Sequence, residues 1–306
     1  MNAELKNAIK ATDSKAEYDT SAKRLLGQKS ILAHILVKTV DEFKGMDPKK
    51  VVDSIEGTPH IGTVPVEPGL TNAVSEKNGE RLVGFNTENG EVNEGLIRFD
   101  IVFYVRMKDG LSQIIINVEA QKDEPNGYEI LNRAIFYVSR LISSQKERDF
   151  ENSSYDDIKR VYSIWICMNM KENTMSYVHL TKEDLIGSYE WKGNLDLLNI
   201  IMIGLAKKLP EHDETYELHR LLGALLSQDL TVDEKLNIIG NEYDIPIEEN
   251  FRKDVSVMCN LSQGIEEKGI AIGEAGLIVK MYKNGFTAEQ IAAATNKELL
   301  AKRFKK

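Results

Sequence analysis

The chain has 306 residues, 42% of them hydrophobic and 28% charged, with a formal net charge of −9. These values describe a soluble globular protein long enough for one large domain or two modest ones, and they argue against a generic nucleic-acid coating protein, which would be basic. Apolar runs are broken within about a dozen residues, too short for a bilayer-spanning helix, and the start MNAELKNAIK has no apolar segment behind its charges of the kind a signal peptide carries.

The first element is a helix over 18–46, with Leu25, Leu26, Ile31, Leu32, Ile35, Leu36 and Val40 near helical spacing. Asp47-Pro48 ends it, and a short helix follows at 48–56. Residues 57–79, with Pro59, Pro65 and Pro68, read as loop, and a strand is placed at 80–86. Two strands follow at 96–105 and 112–121. Asp109-Gly110 between them is a two-residue hairpin signal. A helix over 127–146, a buried strand at 160–168 and a shorter strand at 175–180 come next. From 194 onward the pattern is read as helical, over 194–208, 213–228, 231–239 and 248–283, with a short helix at 288–294 that Thr287 caps. The chain is therefore divided into an α/β domain at 1–190 and a helical C-terminal region at 191–306. Cys167 and Cys259, in apolar surroundings and without the paired spacing of a zinc site, are read as reduced core thiols, and the cytoplasm is the expected compartment.

The hairpin fixes a register. If Asp109 and Gly110 form the loop, residue 108 faces residue 111, and the pairs Val105–Ile114, Phe103–Ile116, Ile101–Val118 and Phe99–Ala120 fall on one wholly apolar face, expected to be the core side. The other face pairs Tyr104 with Ile115, Val102 with Asn117, Asp100 with Glu119 and Arg98 with Gln121. Carboxylates directly opposed, with β-carbons about 4.5–5.5 Å apart, destabilise a sheet unless something neutralises them. A divalent cation such as Mg²⁺, which takes one or two carboxylates and keeps sites for water and phosphate, meets that requirement. On the following helix Arg133, Tyr137, Arg140 and Ser144 are spaced 4, 3 and 4 and share a stripe.

Asn93-Glu94-Gly95, Arg98-Phe99-Asp100, Asn117-Val118-Glu119-Ala120-Gln121, Leu131-Asn132-Arg133 and Tyr137-Val138-Ser139-Arg140, extended by Ser144-Gln145, together resemble the PD-(D/E)XK nuclease superfamily, and within it the branch of nuclease family transposases or recombination-promoting nucleases. The resemblance spans about 80–180. It implies a restriction-endonuclease-like α/β fold, a mixed sheet flanked by helices with an α-β-β-β-α-β core, followed by the helical C-terminal region. It also implies a Mg²⁺- or Mn²⁺-dependent endodeoxyribonuclease that hydrolyses phosphodiester bonds in recombination or transposition. The alternative is a non-catalytic DNA-binding or assembly protein that keeps the fold. On this resemblance Asp100 and Glu119 bind the metal, with Glu42 of the first helix as an extra carboxylate and Glu94 as another candidate. Gln121 stands where the superfamily has lysine and orients the attacking water, since an amide cannot serve as acid or base. Arg133, Tyr137 and Arg140 hold DNA phosphate. DNA is the expected partner, no membrane is involved, and the C-terminal helices are the expected surface for self-association.

Overall fold

The computed structural model describes residues 18, 20–65, 75–77, 80–82, 98–106, 113–121, 127–146, 149–287 and 290–291. The chain divides into two compact units, Thr20–Val255 and Met1–Asp19 with Ser256–Lys306.

Thr20–Val255 is built on a six-stranded mixed sheet in the order β1-β4-β5-β6-β8-β7. The strands are β1 (His60–Pro65), β4 (Arg98–Arg106), β5 (Gln113–Gln121), β6 (Val161–Met170), β7 (Thr174–His179) and β8 (Leu198–Ala206); β2 (Ser75–Lys77) and β3 (Glu80–Leu82) pair separately. β5, β6 and β8 are parallel, while β1, β4 and β5 run antiparallel in turn and β7 is antiparallel to β8. The β4–β5 ladder runs from Arg106↔Gln113 to Ile101↔Val118, the register expected from the hairpin. Asp109 and Gly110 lie outside the described residues.

α4 (Ile130–Ser143) crosses from β5 to β6, as a connection between parallel strands requires. Its Ala134, Val138 and Leu141 recur on one face and are buried with Val102, Tyr104, Ile115, Val161, Trp165 and Ile200. That alters the sequence reading. The face carrying Asp100 and Glu119 is itself a packed core face under α4, and the opposite face, with Ile101, Phe103, Ile116, Val118 and Ile164, is buried as well. On that second side α5 (Glu217–Leu226) packs on β8, and α2 (Lys29–Thr39) packs on α5 and on α3 (Pro48–Val52).

Three other expectations are corrected. Residues 198–206 form β8, not a helix, so the sheet extends beyond residue 190. Leu198-Asn199-Ile200-Ile201-Met202-Ile203 is covered on both sides, and such a strand shows an apolar run in place of alternation, which periodicity cannot separate from a buried helix. Residues 60–65 form an edge strand with a bulge between Ile61 and Val64, where Pro65 is tolerated because it sits at the strand's end on the sheet margin. The first helix is broken: α1 (20–26) ends at a turn at Gly27, α2 stops at Thr39, and a 3₁₀ turn takes over at Asp41–Phe43.

α6 (Val232–Asn237) begins with a capping box between Thr231 and Glu234. α7 (Glu249–Lys283) starts in the first unit and continues in the second. Within the second unit Thr287 caps the next turn as expected, its Oγ1 accepting from the Gln290 amide at 3.3 Å while Gln290 Oε1 accepts from the Thr287 amide at 2.9 Å. Most of the short helix expected at 288–294 lies outside the described residues. Among the described residues no helix is long and apolar enough to cross a membrane.

Candidate functional site

The site lies where β4 and β5 part. Their ladder stops at Ile101↔Val118, but β4 stays paired with β1 as far as Arg98, and β5 stays paired with β6 as far as Gln121. A fork of this kind exposes backbone amides that must find acceptors. Asp100 and Glu119 supply them across the gap. The Asp100 amide donates to Glu119 Oε1 at 3.1 Å, and the Ala120 amide donates to Asp100 Oδ2 at 3.0 Å. Each carboxylate is thus pinned through one oxygen to the opposing strand.

The second oxygen of each meets a cation. Lys23 Nζ of α1 lies 2.8 Å from Asp100 Oδ1, and Arg133 Nη2 lies 4.0 Å from Glu119 Oε2. Glu119 is 3% exposed. Burial, then the charge of Asp100, pushes its carboxyl up to about 8, against smaller opposing effects of the Asp100 amide, Arg133 and Lys23. Two acids on one spot with incomplete compensation are costly unless a proton or another cation joins them.

Arg133 is held as a fixed plane. Nη1 donates to Gln121 Oε1 at 3.3 Å and to the Tyr128 hydroxyl at 3.0 Å, and Nη2 donates to the Tyr137 hydroxyl at 2.9 Å. The guanidinium carbon stands 4.8 Å from the Tyr137 ring centre and 5.3 Å from that of Trp165, within cation–π range. Trp165 is level with Glu119 in the parallel ladder and fully buried, so it forms the apolar wall that desolvates the acid. Further along the same strands, Asn117 Nδ2 and Trp165 Nε1 both donate to Ser163 Oγ, and among the described residues nothing donates to the buried Asn117 Oδ1.

Asp100, Glu119, Gln121, Arg133 and Tyr137 are therefore brought together. Two of the expected residues are not. Glu42 belongs to the 3₁₀ turn after α2. Its Oε1 is bonded to Arg160, and its Oε2 accepts from the Tyr162 hydroxyl at 3.3 Å. Tyr162 and Trp165 are an odd number of residues apart on β6, so Glu42 sits across the sheet from Glu119 as well as toward the other end of the strand. Glu42 is not on the polar face of the first helix as expected, because α2 ends at Thr39. Arg140, in the last turn of α4, is 6% exposed and so closed to an incoming phosphate. Glu94 lies outside the described residues.

Lys23, Tyr128 and Trp165 were missed by sequence reasoning. Lys23 had one signal: it is a cation between Ala22 and Leu25-Leu26, all buried, on the inner side of α1. Trp165 follows only once β6 is set in register beside β5.

The donor set suits a hard cation. Two carboxylates converge, two residues along β5 from a buried amide oxygen that no described residue satisfies, and Mg²⁺ uses one or two carboxylates plus waters and phosphate. Among the described residues no group of three or more His, Cys, Asp and Glu converges. No curated protein and no solved structure matches the chain. The family model of the PD-(D/E)XK nuclease family transposases does match, over residues 83–257, a span that takes in β4, β5, α4, β6 and β8. By that match over more than half its length, carrying both acids of the fork, this chain belongs to the PD-(D/E)XK nuclease family transposases.

Proposed function

We propose that this protein is a divalent-metal-dependent endonuclease that hydrolyses phosphodiester bonds in DNA, in recombination or transposition, with Asp100 and Glu119 as the metal-binding pair. The observation that carries the reading is the fork. Each acid is anchored to backbone through one oxygen and turns the other toward positive charge. The pair is pre-organised, and its electrostatics ask for a cation.

Bound Mg²⁺ or Mn²⁺ would supply a water of lowered pKa and polarise a phosphodiester oxygen. Asp100 Oδ1 and Glu119 Oε2 are the oxygens that would hold it. Arg133, fixed by Gln121, Tyr128 and Tyr137, presents a permanent cation where negative charge builds on phosphorus. Gln121 keeps the guanidinium in place through its Oε1, and as an amide it moves no proton at neutral pH. Trp165 and Tyr137 exclude bulk water from the wall beside Glu119, which strengthens each of these interactions. The buried thiols Cys167 and Cys259 suit a reducing compartment, in keeping with work on cytoplasmic DNA.

Incubation of supercoiled plasmid with Mg²⁺ tests the reading. Wild type is expected to yield nicked and linear forms, with D100A and E119A inactive; equal cleavage by all three would refute it. Gln121 in the lysine position favours one second reading, a DNA-binding member with little turnover. Its mark would be salt-sensitive filter binding without nicking.

A further inference from the structure

The most telling residue of the site is one that neither the motif nor the spacing of the sequence selects. We propose that Lys23 is a built-in substitute for the divalent cation: its ammonium holds Asp100 while no metal is bound and leaves Asp100 Oδ1 when one binds. The inference rests on the reading of Asp100 and Glu119 as metal-binding acids.

Asp100 Oδ2 is committed to the Ala120 amide, so Oδ1 is the oxygen a metal would use, and Lys23 Nζ already lies on it at 2.8 Å. The lysine side chain is 14% exposed and that of Asp100 16%, so the contact is an enclosed one and not a solvated surface pair. Two cations on one oxygen repel, and a metal at carboxylate distance displaces the ammonium. Lys23 cannot go far, because α1 is fixed by the buried Ala22, Leu25 and Leu26 on either side of it. After displacement it remains a positive charge on a four-carbon tether beside the acids, the kind of charge that Gln121 does not bring. Lys23 is thus a positioning residue for Asp100 and a competitor of the metal.

The two roles predict opposite signs for one measurement. Mn²⁺ binding to the full chain is followed by electron paramagnetic resonance or calorimetry. K23M, which removes the competitor, is expected to bind Mn²⁺ on the order of tenfold more tightly, within the usual range of coupling between sites. It should also lose thermal stability in EDTA and regain it in Mn²⁺. K23R, which keeps the charge, should stay near wild type. Equal or weaker Mn²⁺ binding by K23M overturns the inference, because a merely structural lysine would leave affinity unchanged or lowered. If K23M does not fold, wild type alone decides. Acetylation of Lys23, read by peptide mass spectrometry, should rise several-fold on adding Mn²⁺ as the amine leaves Asp100; unchanged or reduced labelling overturns the proposal. Failure of wild type to bind Mn²⁺ at all removes both this inference and the reading beneath it. Binding that D100N abolishes and K23M does not tighten removes the inference alone.

Discussion

At the β4–β5 fork, Asp100 and Glu119 share Lys23 at 2.8 Å and Arg133 at 4.0 Å. Near the start of β6, Glu42 meets Arg160 and the Tyr162 hydroxyl, and Arg160 also lies 3.5 Å from Asp196. Both clusters gather carboxylates, cations and tyrosines on the same sheet, and the second lines a cleft of about 520 Å³. They differ in how the acids are satisfied. Both oxygens of Glu42 are taken by side chains that oppose or donate to them. At the fork one oxygen of each acid is spent on backbone, and Glu119 is buried so deeply that its charge is penalised. A carboxylate pair becomes a cation site when its neighbours leave the charge uncompensated, and proximity of acids alone does not suffice.

Substitutions at the fork should break this contrast most severely. Removing either acid is expected to lower plasmid nicking by at least the 10²–10³-fold that loss of a single electrostatic group costs an active site. E42Q should leave nicking rates unchanged, as the same gel assay would record; a comparable loss there would merge the two clusters into one site. Arg133 comes next. R133A should weaken nicking by roughly 10–100-fold, the usual cost of a supporting residue, and reduce the salt slope of DNA binding by about 1. R133K is not expected to rescue it, since an ammonium cannot span Gln121, Tyr128 and Tyr137 at once.

The raised carboxyl of Glu119 gives a smaller effect with a definite sign. Below its ordinary value of 4.5, folded and unfolded chains both hold the proton; between there and about 8 the folded chain alone holds it. The folded state binds more protons in that window, so metal-free stability should fall as pH rises through it, by up to about 1.4 kcal/mol per pH unit. E119Q, neutral throughout, should flatten the curve and melt several degrees above wild type at pH 8 in EDTA. A melting temperature indifferent to pH from 5 to 8 would mean that Glu119 is already fully compensated. The smallest effect is expected at the satisfied cluster, where E42A should cost about 1 kcal/mol in urea unfolding, the worth of a partly exposed charged hydrogen bond.

The β4–β5 register up to Ile101 and Val118 was legible because two independent signals agreed, a turn that sets the pairing and an alternation that one-residue slippage would destroy; the pairs expected beyond it, Asp100 with Glu119 among them, are not laddered because the strands part there. What the alternation could not convey was which face is covered. α4 lies over the acids, and its contribution, Arg133 and Tyr137, was recoverable from helical spacing, while the burial of Arg140 on the same stripe was not. β8 was read as helix for a related reason: a strand enclosed on both sides has no polar face to betray its period. β1 was read as loop because proline and glycine mark turns in most settings and sheet margins in a few. Glu42 depended on a helix continuing three residues past its end. Lys23 lies more than 70 residues from Asp100 in sequence, and only the assembled core brings them together.

The placement of the two tryptophans gives the protein an optical consequence. Trp165 is sealed against the guanidinium of Arg133, whereas Trp191 is 76% exposed on the segment after β7. A water-soluble quencher such as iodide therefore silences Trp191 first and leaves an emission that comes from the wall of the fork. Changes in that residual glow on adding manganese or an oligonucleotide would watch the site fill in real time, with no dye attached.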